Sequence, residues 1–303
     1  MKAIVLTEYG GADQLQLRDH PQPEPGPNDV KVRVASASIN PIDWKLRSGA
    51  AKAVMPLTFP AILGRDAAGE VVAVGSAVNG FKPGDRVMGL VFGAYAEFVS
   101  APVEAWAKLP DGLDVVEAGA LPLALLTGDQ LIAATLGDAS GAGRTVLVTG
   151  AVGAVGRVAV FVAKRRGATV LAGVRRKQIN QAERLGADGI VALDDENSLK
   201  QLSPVDAIAD TVGGQTIARL LPKVKSGGTV GSVVGEPAGA KALGLTVHAF
   251  LAHADSKRLG ELGAEVAHGK LVIPIAQRFP LAEAASAQEL AQGGGVGKVL
   301  LLP

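Results

Sequence analysis

Thr145-Val146-Leu147-Val148-Thr149 runs directly into Gly150-Ala151-Val152-Gly153-Ala154-Val155-Gly156 and then into a helical pattern reaching about Arg166. A β-branched run, a glycine turn and a helix in that order constrain this chain more than any other feature. Glycine permits a sharp turn and close backbone approach, while the first helical turn leaves N–H groups and a partial positive charge facing outward. Together they suit a pyrophosphate. The spacing is G-x-x-G-x-x-G rather than G-x-G-x-x-G. The glycines alone therefore leave two readings open, a dinucleotide site and a tight βα turn without a ligand.

The next strand narrows the choice. It ends at Ala172-Gly173, where an NAD site usually carries the Asp or Glu that binds the ribose hydroxyls. Here that place holds Gly173, followed by Val174-Arg175-Arg176-Lys177. Loss of the carboxylate and gain of cations favour a 2′-phosphate, and so NADPH. The alternative is a solvated basic patch. Cations opening the following helix would oppose its dipole, and an anionic ligand would offset that. Lys164-Arg165-Arg166, by contrast, close the preceding helix, where cations are expected.

Runs reading as strands alternate with helical stretches from residue 120 onward: Thr145–Thr149, Thr169–Ala172, Ile190–Leu193, Asp206–Asp210, Thr229–Val234 and Leu245–Ala249. Such alternation predicts an α/β fold, a doubly wound parallel sheet with helices on both faces. Residues 1 to about 110 read instead as short strands, among them Tyr95–Val99, separated by Pro, Gly, Asn and Asp. The net charge of +1 shows no basic footprint for nucleic acid. Absence of cysteine excludes disulfides and thiolate metal sites, and fits a reducing, cytoplasmic setting. The most apolar stretch, Ala118 to Leu136, is interrupted by Pro122 and Asp129, so no membrane span is expected.

Several segments carry a resemblance. They are Asn40 to Gly49, Leu63 to Val71, Phe81 to Gly89, Gly93 to Phe98, Leu121-Pro122-Leu123 with Thr127, Asp210 to Gly214, and Gly297-Lys298-Val299. With them the chain resembles the medium-chain dehydrogenase/reductase superfamily, in its zinc-independent quinone oxidoreductase (zeta-crystallin-like) branch. The resemblance implies a GroES-like β-rich catalytic domain over 1–122 and 273–303 and a Rossmann NADPH-binding domain over 123–272. It implies that Asn40 and Thr127 lie near the nicotinamide. Gly150, Ala151, Val152, Gly153, Val155 and Gly156 would hold the pyrophosphate, and Gly173, Arg175, Arg176 and Lys177 the 2′-phosphoribose. Val212, Val233 and Val234 would end strands beside the nicotinamide, with Lys298 near the cofactor cleft. Zinc-dependent relatives carry a Gly-His-Glu step, matched here by Gly64-Arg65-Asp66, and the four histidines show no ligand spacing, so no metal is expected. Asp194-Asp195-Glu196 reads as acids opening a helix.

Without a metal Lewis acid, an activated acceptor is preferred: a small-molecule quinone or α,β-unsaturated carbonyl, which takes hydride at carbon while charge spreads onto oxygen. Lys45 is the first candidate for a proton source, with a surface lysine as the alternative. Asp43 either joins it or caps the helix after Pro41. Several quinone reductases have tyrosine where Lys45 falls, and Leu193 replaces a frequent polar or aromatic cofactor contact. An enoyl-thioester reductase and a non-catalytic NADPH-binding or structural protein stay open as alternatives. The family makes a homodimer the expected assembly, with Leu245–Ala249 as the strand available for pairing.

Overall fold

A computed structural model describes residues 1–137, 140–295 and 297–303. The chain divides into two compact units, one formed by Met1–Leu123 with His253–Pro303, the other by Ala124–Ala252.

The second unit contains a six-stranded, all-parallel sheet in the order Gly189–Ala192, Thr169–Val174, Thr145–Thr149, Val205–Asp210, Val224–Ser232, Thr246–Ala249. Its central strands read as unbroken apolar runs because helices bury both faces. Leu147, Ile208 and Val230 are wholly buried in one core that includes Ile217 and Leu220 of the helix Gly214–Leu220. The strand at Thr145 has the expected bounds. The strand expected at Thr229 instead begins at Val224 and ends at Ser232, and the one at Thr169 runs on to Val174. Val212, Val233 and Val234 consequently lie just beyond strand ends rather than on them.

The first unit is built on the sheet order Ile275–Pro280, Lys298–Leu302, Asp29–Ser38, Asp66–Val74, Arg86–Leu90, Trp106–Lys108, with Phe98–Pro102 also pairing to Asp29–Ser38. Asp29–Ser38 organises it. Its first half pairs with Phe98–Pro102, and its last two residues, Ala37 and Ser38, pair with Leu301 and Leu300. The two ends of the chain are thereby joined in one sheet. Tyr95 and Trp106 are the largest of its wholly buried side chains. Tyr95 lies in a bend before the strand Phe98–Pro102, not in a strand starting at residue 95.

The unit boundary expected at residue 273 falls at 253. The helix Ser256–Ala267 buries Leu259 and Leu262 within the first unit, and Gly263 lies against Met88 and Pro110. Among the described residues no helix is long and apolar enough to cross a membrane.

The helix Ala154–Arg165 packs on the parallel sheet through Gly156, where an added Cβ would lie 2.2 Å from the Gly150 carbonyl oxygen. Gly156→Ala should therefore push the helix off the turn and destabilise the second unit by about 1–3 kcal/mol. A fall in the urea midpoint followed by far-UV circular dichroism checks this.

Candidate functional site

In the first unit, the short helix Pro41–Arg47 starts where the strand Asp29–Ser38 ends. Proline at the first helical position suits the missing N–H, and Asp43 in the first turn accepts from the Asn40 backbone N–H at 2.8 Å. Asn40 spends its own side chain elsewhere. Its Nδ2 donates to Asp66 Oδ2 at 2.8 Å, and its Oδ1 accepts from Lys298 Nζ at 2.6 Å. Asp66 Oδ2 also receives the Ser38 hydroxyl at 2.5 Å and the Lys298 ammonium at 3.3 Å, while Oδ1 receives the Leu123 N–H at 2.6 Å. All of these polar side chains are buried. A charge removed from water persists only when it is paired and hydrogen-bonded, and this network meets that condition.

Asp43 is a second buried carboxylate. Its Oδ2 accepts from the Tyr95 hydroxyl at 2.8 Å, but Oδ1 has no partner. Burial is the largest influence and pushes the carboxyl from 3.8 up to about 7, against the lowering effect of the Asn40 and Tyr95 hydrogen bonds. Tyr95 is held well above 10.0, first by burial and then by the Asp43 charge. Lys45, on the same helix as Asp43, is exposed.

The second unit places the glycine turn at the end of the strand Thr145–Thr149. Gly150 has φ +63°, a conformation costly for other residues, and a Cβ there would meet Thr211 Oγ1 at 2.4 Å. Gly153 caps the helix Ala154–Arg165 without a capping side chain, so the first-turn N–H groups face outward. Arg157 holds the turn by donating from Nε to the Val152 carbonyl at 2.9 Å, and Ala151 N donates to Gly173 O at 3.2 Å. Asp210, wholly buried, gathers the neighbouring strand ends. Its carboxylate accepts from Thr149 Oγ1 at 2.7 Å, from the N–H groups of Val212 and Gly213 at 3.1 Å each, and from Ser232 Oγ at 3.3 Å. Thr127 is buried in the helix Pro122–Leu136.

The three cations after Gly173 differ in their surroundings. Arg176 Nη2 is 2.9 Å from Asp195 Oδ1, and its backbone N–H donates to Asp194 Oδ1 at 2.6 Å. Asp195 also caps the helix Glu196–Gln201 by accepting from Ser198 N at 3.0 Å, so these acids do open a helix. Arg175 and Lys177 are exposed, with no carboxylate at ion-pair distance among the described residues. The segment after Arg175 is a 3-10 turn, Arg176–Gln178, followed by only one helical turn, Ile179–Ala182. The dipole that those cations were expected to oppose is correspondingly small.

Sequence reasoning named Asn40, Asp43, Thr127, Lys298 and the turn residues. It did not single out Asp66 or Asp210 as site residues, although both are lone carboxylates at the edge of apolar strand runs, which is the signal that could have found them. The first unit brings Asn40 and Lys298 into contact, and the second brings Gly150 to Gly156 beside Gly173.

The raised Asp43 carboxyl has a pH consequence. Its folded-state value lies above the unfolded one, so its contribution to stability is complete below about 3.8 and is lost as pH rises to about 7. Asp43→Asn keeps an acceptor for Asn40 N–H and Tyr95 but does not ionise. Relative to wild type, its urea midpoint should rise steadily between pH 4 and 7 and then level off; a constant difference across that range is the contrary result.

Residues 26–111 match the family model for the alcohol dehydrogenase GroES-like domain, and residues 185–301 the model for a zinc-binding dehydrogenase. The quinone oxidoreductase of Pseudomonas aeruginosa is 34% identical over 328 residues, covering 100% of this chain and 99% of that protein. The chloroplastic NADPH-dependent alkenal/one oxidoreductase of Arabidopsis thaliana is 31% identical, covering 100% of this chain and 80% of the relative. Among solved structures, the quinone oxidoreductase from Coxiella burnetii superposes with a TM-score of 0.90 at 32% identity, covering 100% of this chain and 99% of that one. With a GroES-like unit, an all-parallel six-stranded sheet and relatives matched from end to end, the chain belongs to the medium-chain dehydrogenase/reductase superfamily, in its quinone oxidoreductase branch.

Proposed function

We propose that this NAD(P)H oxidoreductase uses NADPH and, without zinc, reduces a quinone or an α,β-unsaturated carbonyl. The observation that carries the reading is the glycine turn at Gly150–Gly156 with its uncapped helix, followed one strand later by Arg175 and Lys177 free of carboxylates. These residues fit a dinucleotide. Gly150 and Gly156 let the turn close tightly against Thr211 and the Gly150 carbonyl, and the first-turn N–H groups of the helix would receive a pyrophosphate. Arg175 and Lys177 would take the 2′-phosphate. Arg176 is already neutralised by Asp195 and would contribute less. The likeness to the alkenal/one oxidoreductase of Arabidopsis supports both the cofactor and the acceptor class.

A zinc ion fits the side chains poorly. Among the described residues no group of three or more His, Cys, Asp or Glu is placed to hold a metal. Asp66, at the step where zinc relatives have glutamate, is already paired with the Lys298 ammonium. The bound nicotinamide would supply a hydride, and this chain's residues would fix its orientation through Asn40, Thr127 and Lys298. Asp43 is wholly enclosed, so its role is to hold the helix Pro41–Arg47 and through it Asn40. Lys45 remains the exposed candidate for delivering a proton.

The strand Thr246–Ala249 lies at the edge of its sheet and is largely exposed, which supports a homodimer formed through that edge. Sedimentation equilibrium should then give twice the mass of one chain.

The cofactor assignment is tested by dissociation constants. Wild type should bind NADPH more tightly than NADH. Arg175→Ala/Lys177→Ala should weaken NADPH about tenfold, leave NADH nearly unchanged, and exceed the effect of Arg176→Ala. Equal binding of both nucleotides by wild type would defeat the assignment.

A further inference from the structure

Arg65 is only partly used by the fold, with burial lowering its pKa and the charges of the buried Asp43 and Asp66 opposing that shift. Its Nε donates to the Val91 carbonyl at 2.9 Å, and the Val91 N–H returns a bond to the Arg65 carbonyl at 2.8 Å. Its guanidinium carbon stands 3.8 Å from the centroid of the Phe92 ring. The side chain is thus held both at Nε and against the ring. The remaining donors, on Nη1 and Nη2, have no hydrogen-bond partner and no carboxylate within ion-pair distance among the described residues. Arg65 is only half-buried, so these donors face accessible space. Phe92, which braces it, is 60% exposed.

A fixed, partly desolvated guanidinium with free N–H groups beside an exposed aromatic ring is complementary to a planar conjugated carbonyl. The ring packs on the conjugated system while the N–H fork receives the oxygen. The geometry points to Arg65 as the donor that binds the acceptor's carbonyl oxygen, with Phe92 holding both the guanidinium and the acceptor's plane. This inference rests on the reductase reading above. Hydride adds to the acceptor's carbon with two electrons, and the π pair moves onto oxygen. The resulting enolate or phenolate oxygen accepts from Arg65, and a proton, for which Lys45 is the exposed candidate, completes the product. Donors already aimed at the oxygen stabilise charge developing there without reorganisation. The same residue stands at the step where zinc-dependent relatives have histidine, so a fixed cation replaces a metal ligand there.

Steady-state kinetics with NADPH and either 1,4-benzoquinone or 2-hexenal test this in the full chain. Arg65→Met should lower kcat/KM by about 100-fold for both acceptors, as loss of one preorganised donor does elsewhere. NADPH affinity and the thermal midpoint should stay close to wild type. Arg65→Lys keeps the charge but loses the fork and should lie between the two. Phe92→Ala should weaken KM more than kcat. In Arg65→Ala, added methylguanidine should restore part of the activity, which a packing role would not allow. Retention of kcat/KM within threefold in Arg65→Met overturns the assignment, as does a loss that tracks NADPH affinity or thermal midpoint and resists rescue. A wild type that binds NADPH yet reduces neither acceptor overturns the reductase reading itself, and Arg65's role with it.

Discussion

The carboxylate of Asp66 draws together residues from five places in the chain: Ser38, Asn40, Leu123, Lys298 and its own strand. Removing a carboxylate and an ammonium from water costs several kcal/mol per ion, and only good geometry recovers it. Each contact here supplies part of that recovery. The Ser38 and Asn40 donors lie at the exit of the strand Asp29–Ser38, and Lys298 opens the strand Lys298–Leu302 that pairs beside it. The position of Asn40 therefore depends on a charge pair spanning most of the chain's length.

Asp210 plays the corresponding part in the second unit, with a different set of donors. It receives hydroxyls from Thr149 and Ser232 and two backbone N–H groups from the loop after its own strand. Three adjacent parallel strands are thereby held level at their carboxyl ends, where ligands bind in open α/β sheets. Both units use a buried aspartate as a fastener at strand ends. The difference is that Asp66 has a cationic partner, whereas the Asp210 carboxylate is met by hydroxyl and backbone donors.

Local pattern made much of this legible. The strand Thr145–Thr149 and its glycine turn were plain from apolar run and spacing, because parallel strands buried on both faces carry their signature in consecutive residues. The strand Val224–Ser232 starts five residues before the Thr229 expected and ends two before Val234, since Lys225, Ser226, Gly227 and Gly228 look like a turn although they continue the strand. The helix Ser256–Ala267 buries Leu259 and Leu262 on one face, but periodicity reveals a face and not the sheet it covers. The site divided in the same way. The glycine turn Gly150–Gly156 depends on local turn chemistry and is readable. The union of Asn40, Asp66 and Lys298 depends on strand pairing across more than two hundred residues and was not. Arg176 is equivalent to its neighbours in sequence, but Asp195, nineteen residues further on, neutralises it in the fold.

The split construction of the first unit carries a consequence for biosynthesis. Residues 124–252 form a compact unit of contiguous sequence, and every strand of its parallel sheet emerges from the ribosome before Lys298 does. The Met1–Leu123 segment emerges earlier still, yet it holds Asp66 without the ammonium that neutralises it and Ala37 and Ser38 without their pairing strand. The second unit can complete its fold while the first is still waiting. Closure of the first unit's sheet is thus scheduled last, at the moment the strand Lys298–Leu302 becomes available.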